Sequence, residues 1–260
     1  MSTVVITGST RGIGFGMAQE FLRHGWNVVV SGRTDENVQK ALAALGAGDR
    51  ALGVACEVSR YEDVQRLWDQ AAQRFGVIHI WVNNAGIDIA RKPYWELPYS
   101  EIARITDVNL GGVLAGSHVA LRGMIAQGQG TLYNMEGFGS EGRKRPGMAS
   151  YGATKIALRY LTHTLQQEVK AQPVNIGTLS PGIVLTDLLL DDYRDRPQDF
   201  ERAKRIFNIL ADKVEPVAAF LVEKMLANTS KTPAIAWLTT PKIAMRFLTS
   251  PFNKRNLFES

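Results

Sequence analysis

The sequence predicts a single doubly wound α/β domain, a parallel sheet with helices on both faces. Three observations carry that expectation. Short β-rich runs alternate with helical segments along the chain, as βαβ units require. A glycine-rich turn, "TGSTRGIG" (7–14), follows the first strand and opens the first helix. No internal repeat, low-complexity stretch or Pro/Gly-rich linker divides the 260 residues, so residues 1–260 are expected to fold as one unit.

The elements follow in order. "TVVITG" (3–8) is a β-rich run ending in glycine. In "GFGMAQEFLRHG" (14–25), Met17, Phe21 and Leu22 recur at helical spacing and Gly25 supplies the stop. "NVVVSG" (27–32) is the second strand, and "TDENVQKALAALG" (34–46) is a helix with Thr34 as its cap and Gly46 at its end. "RALGVACEV" (50–58) is the third strand, and 59–76 is a helix opened by Ser59 with acidic residues in its first turns. "VIHIWVNNAG" (77–86) is the fourth strand, and 99–128 is one long helix or two. "GTLYNME" (130–136) is the fifth strand, 151–171 a helix and "VNIGTLSPG" (174–182) the sixth strand. The stretch at about 187–215 places Leu188, Leu189, Leu190, Ile206, Phe207 and Leu210 around a charged middle, which reads as two amphipathic helices. "AIAWLTT" (234–240) adds an edge strand, and Lys242, Arg246, Lys254 and Arg255 make a basic, amphipathic tail of about 239–260.

Composition narrows the function classes. At 45% hydrophobic and 21% charged, the chain is of ordinary globular make-up. The net charge of +5 favours anionic ligands, but it is spread along the chain and leaves no footprint for nucleic acid. The single cysteine, Cys56, excludes an internal disulfide and reads as a small buried residue. His24, His79, His118 and His163 lie far apart without ligand spacing, so no metal is expected. A strand starts almost at once in "MSTVVITGST", leaving no room for a targeting peptide, and the longest apolar runs fall short of a bilayer span. A cytoplasmic protein is expected.

Two sites carry chemistry. In the turn after the first strand, Gly8, Gly12 and Gly14 would let a pyrophosphate approach the backbone, at a helix N-terminus that favours its charge. The second strand ends in Ser31-Gly32-Arg33, with glycine where an NAD site would place a carboxylate for the ribose. Arg33, with Arg11 inside the turn, suits a 2′-phosphate, because guanidinium groups bind phosphate through paired hydrogen bonds. The expected cofactor is NADPH. Further on, Tyr151 and Lys155 stand one helical turn apart on one helix face. A cation close to a phenol favours its ionised form, which makes an acid/base pair.

The "TGxxxGIG" turn, "NNAG" (83–86), "VN" (108–109), "YGATK" (151–155) and "SPG" (180–182) followed by Thr186 occur in the order and spacing of the short-chain dehydrogenases/reductases. The resemblance covers about residues 3–190 and implies a Rossmann fold that usually assembles as a dimer or tetramer. It implies that Tyr151 donates a proton to a carbonyl oxygen, and that Lys155 lowers the tyrosine pKa and holds the nicotinamide ribose. Asn109 would fix a water in a proton relay. Ser9, Thr10 and Ile13 would join Arg11 and the three glycines around the cofactor, with Arg33, Glu57 and Val58 beside them. Asn84, Ala85 and Gly86 would line its adenine side. Pro181, Gly182, Val184 and Thr186 would lie along it, with Thr186 at the carboxamide.

One departure stands out. Counting back from Tyr151 by the family's usual interval reaches Phe138, preceded by Gly137 and Glu136, where relatives carry a serine for the substrate carbonyl. Glu136 could be a carboxylic acid kept protonated by burial that donates to the carbonyl oxygen, or a carboxylate that caps the following loop. Ser140 is the other candidate, if the glycine-rich loop folds back. "NMEGFGS", "TLSPGIVLTDLLL", "RIFNILADKVEPVAAFLVEKML" and "MRFLTSPFNK" resemble the chlorophyll b reductase group, which reduces a 7-formyl group to hydroxymethyl. That resemblance implies a hydrophobic tetrapyrrole substrate under an apolar lid at about 187–215. Arg143, Lys144 and Arg145 would be free to meet a propionate or membrane headgroups, so peripheral membrane contact is an expectation. Two readings compete with it: the same chemistry on a 3-oxoacyl chain or steroid-like ketone, and an NADPH-binding regulator without turnover.

Overall fold

The computed structural model describes residues 1–191, 193, 196–252 and 255–258; Lys254 of the expected basic tail lies outside them. The strands are β1 (Thr3–Ile6), β2 (Asn27–Gly32), β3 (Ala51–Ala55), β4 (Ile80–Asn83), β5 (Thr131–Met135), β6 (Asn175–Ser180), β7 (Ile183–Val184), β8 (Ala211–Asp212) and β9 (Ala234–Ala236). The helices are α1 (Gly12–Arg23), α2 (Asp35–Leu45), α3 (Tyr61–Phe75), α4 (Tyr99–Thr106), α5 (Gly112–Gln127), α6 (Ala149–Glu168), α7 (Asp187–Asp191), α8 (Pro197–Leu210), α9 (Val214–Leu226) and α10 (Thr240–Thr249). Among the described residues, β3-β2-β1-β4-β5-β6-β9 form one sheet of seven strands, parallel throughout. The order reverses between β1 and β4, which opens a crevice at the carboxyl ends of the strands.

Side-chain alternation along these strands builds a core on each face. Val4, Ile6, Val28 and Val30 point to the side covered by α1 and α9, with Met17, Phe21, Leu221 and Val222. Val5, Val29, Trp81 and Leu132 point to the other side, with Leu67 and Trp68 of α3 and Met124 of α5. A strand covered on both faces must be apolar at every position, which is why "VVV" in β2 shows no polar alternation.

Thr34 caps α2 as its sequence position suggests, accepting from the Asn37 N–H, and Gly46 ends it in the left-handed region. Ser59 does not cap α3. The carboxylate of Asp63 instead accepts the Glu57 N–H at 3.1 Å, and Arg66 pairs with the same carboxylate at 2.9 Å. The 99–128 segment holds two α-helices, α4 and α5, with no loop between them. A π-helical turn over Asp107–Gly111 joins α4 to α5, so the rod continues with one extra residue in its ladder.

Two features were not singled out from sequence. Helix α9 packs on α1 through buried Val217, Leu221 and Met225. A second, two-stranded parallel sheet pairs Ile183 with Ala211 and Val184 with Asp212, closing the excursion that holds α7 and α8. That excursion has its own aromatic core of Tyr193, Phe200 and Phe207, completed by Phe258 from the end of the chain. The tail cations also turn inward. Asp212 accepts hydrogen bonds from Arg246 at 3.1 Å, Arg255 at 2.7 Å and Trp237 Nε1 at 2.6 Å.

Candidate active site

The glycine turn is shaped by close backbone packing. Gly8 has φ +62°, and a methyl group there would lie 2.7 Å from the Ala85 Cα. One at Gly14 would lie 2.5 Å from the Asn84 amide and 2.7 Å from the Gly8 carbonyl. Asn84 clasps the turn by donating to the carbonyls of Thr7 and Gly8, while the Thr7 hydroxyl accepts from the N–H groups of Asn84 and Ala85. Ser9 is locked inward, its hydroxyl donating to the Ile6 carbonyl at 2.6 Å and accepting the Ser31 N–H. The outcome is a cradle free of side chains at the start of α1, which fits the pyrophosphate of a dinucleotide.

Around this cradle the other candidates gather. Gly32 packs under Thr10, since a methyl group at Gly32 would lie 2.5 Å from the Thr10 methyl, so no carboxylate fits there without displacing it. Arg33, Glu57, Ser59 and Val108 border a cavity of about 330 Å³, with Arg104 on its rim. Val58 is buried against Gly112 of α5. Arg11 reaches over to Asp187 of α7, 3.6 Å away, with both side chains about two-thirds exposed. Thr186 stands over Gly12, Gly182 turns the chain at φ +73°, and Val184 pairs into the second sheet. Pro181 sits between Ser180 and Gly182 in the same turn.

Tyr151 and Lys155 project from the first half of α6. The Lys155 ammonium is 5.7 Å from the phenol ring centre and donates to the Met135 carbonyl at 3.2 Å. A methyl group at Gly137 would lie 2.4 Å from the Tyr151 oxygen and 3.1 Å from Lys155 Cε, so the bare Gly137 backbone is what faces the pair. Burial pushes the Tyr151 phenol up, and the Asp88 carboxylate pushes the same way. Burial pushes Lys155 down to about 8, opposed by Glu136 and Asp88. The expected lowering of the phenol by Lys155 is not seen here: burial and Asp88 raise it, and the charge that lowers it is that of Arg91.

Asn109 sits in the π turn, fully buried, with both ends of its amide spent on Ile87: its oxygen accepts the Ile87 N–H at 2.8 Å and its nitrogen donates to the Ile87 carbonyl at 2.9 Å. Beneath the site a buried polar chain runs across the strands. Trp81 donates to Asn83, Asn83 to Ser117 and Asn134, and Asn134 to Thr162. Each bond here satisfies a group that would otherwise be costly to bury.

Glu136 and Ser140 divide the tasks that the sequence left open. Ser140 does fold back, and its hydroxyl accepts the Gly137 N–H at 3.1 Å and donates to the Gly137 carbonyl at 2.7 Å. The loop cap is thus made by Ser140. Glu136, placed against the substrate by the sequence reading, is turned toward α6, where its carboxylate lies 3.7 Å from Arg159. Burial pushes its carboxyl up and Arg159 pulls it down. Asp88 and Arg91, which sequence reasoning missed, form a second ion pair at 2.5 Å, and both charges act on the Tyr151 phenol. Their spacing of three residues was the only signal, in a stretch that reads as loop.

The chain matches the short chain dehydrogenase family over residues 2–196 and belongs to it, so it is an oxidoreductase of a family that works with nicotinamide cofactors. It is 35% identical to the probable chlorophyll(ide) b reductase NYC1, chloroplastic, of Oryza sativa subsp. japonica, across 98% of this chain and 53% of that protein. It is 36% identical to the chlorophyll(ide) b reductase NOL, chloroplastic, of Arabidopsis thaliana, across 86% of this chain and 65% of that protein. The chain thus spans about half the length of the first and under two thirds of the second. Among solved structures, it superposes on a 3-ketoacyl-(acyl-carrier-protein) reductase from Brucella melitensis complexed with NADH, with TM-score 0.77, 28% identity and coverage of 91% and 96% of the two chains.

Proposed function

We propose that this chain is an NADPH-dependent reductase of the formyl group of chlorophyll b, chlorophyllide b or a closely related tetrapyrrole. The observation that carries the reading is the match, over nearly the whole chain, to plant proteins named for that reaction. The site supports it. Gly137 lies so close to the Tyr151 oxygen that any side chain there would collide with the proposed proton donor. Leu188, Leu190 and Ile206 stay partly exposed on the α7–α8 excursion, giving the proposed lid an apolar surface for a hydrophobic substrate.

In this reading Gly8, Gly12 and Gly14 receive the pyrophosphate. Arg33 and Arg11 receive the 2′-phosphate, since Gly32 leaves no carboxylate to repel it. Bound NADPH supplies a hydride to the carbonyl carbon. Tyr151, held protonated by burial, gives its proton to the carbonyl oxygen as charge develops there. Lys155 contributes a positive charge at the ribose and beside the phenol. Asn109 fixes the π turn against the loop after β4, and so sets the depth of the site. The test is incubation of the purified protein with chlorophyll b or chlorophyllide b and either NADPH or NADH, followed by pigment separation. A hydroxymethyl product formed preferentially with NADPH is expected. Its absence, while a simple ketone is reduced, would reject the tetrapyrrole reading.

A further inference from the structure

We propose that the end of the chain is a strap over the substrate lid, and that Arg246, Arg255 and Phe258 are positioning residues for the face of α8 that meets the substrate. This deepens the proposed function, and it rests on the reading that the α7–α8 excursion covers the substrate.

The last turn of α8 has no stop of its own. Ala211 follows it in extended conformation, with no glycine to turn the chain back onto the terminal carbonyls. Those carbonyls are met by side chains 36 to 46 residues further on. Arg246 donates to the Leu210 carbonyl at 3.0 Å, and Arg255 to those of Ile209 at 3.3 Å and Ala211 at 2.9 Å. Two cations at a helix C-terminus also offset the negative end of its dipole. One residue back, the Asn208 side chain accepts the Leu257 N–H at 2.9 Å. One further back, the Phe207 ring lies 6.4 Å from that of Phe258, which stands edge-on to Phe200 at 5.2 Å.

With Asp212 taking both guanidinium groups, every residue from 207 to 212 is held by the end of the chain. Two segments that carry the sequence resemblance, the one beginning "RIFNILADK" and "MRFLTSPFNK", are thus two sides of one contact, joined through Arg246. The contact has a direction. Phe207 is buried against the strap, while its neighbour Ile206 is 41% exposed. Adjacent side chains on a helix point about 100° apart, so fixing Phe207 fixes where Ile206 points. Among the described residues, the hydrogen bonds and ring contacts of Arg246, Arg255 and Phe258 side chains all end on α8 and β8. Loosening the strap therefore frees the lid and leaves the Tyr151–Lys155 pair and the glycine turn as they were.

The experiment compares wild type, Arg255→Gln and Phe258→Ala on a wide and a small substrate, with NADPH affinity and melting temperature followed for each. The wide substrate is chlorophyllide b, or a steroid ketone if no tetrapyrrole is reduced, so failure of the tetrapyrrole reading does not remove the test. The small one is a short aliphatic aldehyde. Both variants should raise KM for the wide substrate about tenfold, because a rocking lid must be ordered on binding. Their kcat, their rate on the small aldehyde and their NADPH dissociation constant should stay within about twofold of wild type. Phe258→Tyr, which keeps the ring, should restore the wild-type KM. Hydrogen exchange supplies a readout without substrate: amides of α8 should exchange faster in Phe258→Ala, while those of α1 and α6 keep their rates. Should Phe258→Ala not fold, Phe258→Leu carries the same test with a smaller rise. Ile206→Ser separates lid from strap. If it leaves KM for the wide substrate unchanged, the lid reading fails and the strap falls with it. If it raises KM while folded Arg255→Gln and Phe258→Ala do not, the lid stands and the strap is overturned. Equal losses on both substrates, or unmoved exchange in α8, overturn it as well.

Discussion

At the scale of single residues, Tyr151 and Lys155 show how a site can invert the usual preferences of its groups. The phenol is held up and the ammonium is drawn down, each chiefly by loss of water. For a reductase this ordering is useful, because the donor must arrive with its proton. Replacing Tyr151 by Phe removes that proton and little volume. We expect kcat to fall by about 10²–10⁴ while the NADPH dissociation constant stays within twofold or so. Stopped-flow or steady-state rates beside a fluorescence titration check both halves, and unchanged turnover would reject Tyr151 as the donor.

Residue types were legible where chemistry or sterics leaves little choice. A turn that admits pyrophosphate needs bare backbone, so Gly8 and Gly14 could be found by reading. A Tyr and a Lys four apart on a helix must share a face. The direction of Glu136 could not be read in that way. It depends on which side of the sheet end the side chain leaves, and on Arg159, a partner that its own sequence neighbourhood does not announce. The same holds for Ser140, whose hydroxyl is consumed by the Gly137 backbone rather than presented to a ligand.

At the scale of elements, the least legible feature was the hub at Asp212. Read as a string, Lys242, Arg246, Lys254 and Arg255 make a basic tail. In the fold, Arg246 and Arg255 bond to one buried carboxylate, while Lys242 stacks on Trp237. This ties α10 and the chain end to β8 and the base of the α7–α8 excursion. Burial pushes the Asp212 carboxyl up, but hydrogen bonds from Arg246, Trp237 and Arg255 outweigh it and hold it below its ordinary value. A carboxyl with a lowered folded pKa contributes stability that is present above its unfolded value of about 3.9 and is lost as pH falls below it. Asp212→Ala leaves two cations unmatched and is expected to cost about 3 kcal/mol at neutral pH. The gap to wild type should close in acid. Thermal melts from about pH 3 to 7 check this, and a constant gap would show that packing, not charge, is what the variant loses.

The π turn at Asp107–Gly111 belongs to the same scale. Periodicity could not decide between one helix and two, because a single extra residue shifts the apolar face without a proline or glycine stop that ends the helix. The shift turns Asn109 inward to Ile87, a contact that a regular helix would direct elsewhere.

At the scale of the whole molecule, the parallel, doubly wound sheet was open to sequence reading, because alternating strands and helices permit few other arrangements. What surrounds the sheet was harder. Helix α9 carries a hydrophobic sequence without a polar face sharp enough to mark its ends. Large apolar side chains also remain on the outer surface of α4, α5 and α6: Tyr99, Leu114, Ile156 and Tyr160, with Tyr160 at 77% exposed. Exposed apolar side chains on helices that the family resemblance assigns to assembly suit burial against a second copy. We expect a homo-oligomer through these helices, and Leu114→Lys combined with Tyr160→Lys should convert it to monomer with little change in melting temperature beyond that due to dissociation. Light scattering at micromolar concentration decides it; a monomeric wild type would overturn the expectation. Among the described residues no helix is long and apolar enough to cross a membrane.

The small sheet formed by β7 and β8 has a consequence for how such proteins diversify. Ile183 sits beside Ala211 and Val184 beside Asp212, so the chain leaves and returns at one place, like a bag drawn shut at its neck. Whatever lies between these points can grow, shrink or be exchanged without moving the strands that hold the cofactor, because the entropy of closing a loop rises only slowly with its length. The aromatic core of Tyr193, Phe200 and Phe207 supplies most of its own packing within that bag, with Phe258 as an outside stay. The segment is in effect a transplantable cassette. A relative with a different lid could lend it to this chain, cut at Val184 and Ala211, and with it a different range of substrates.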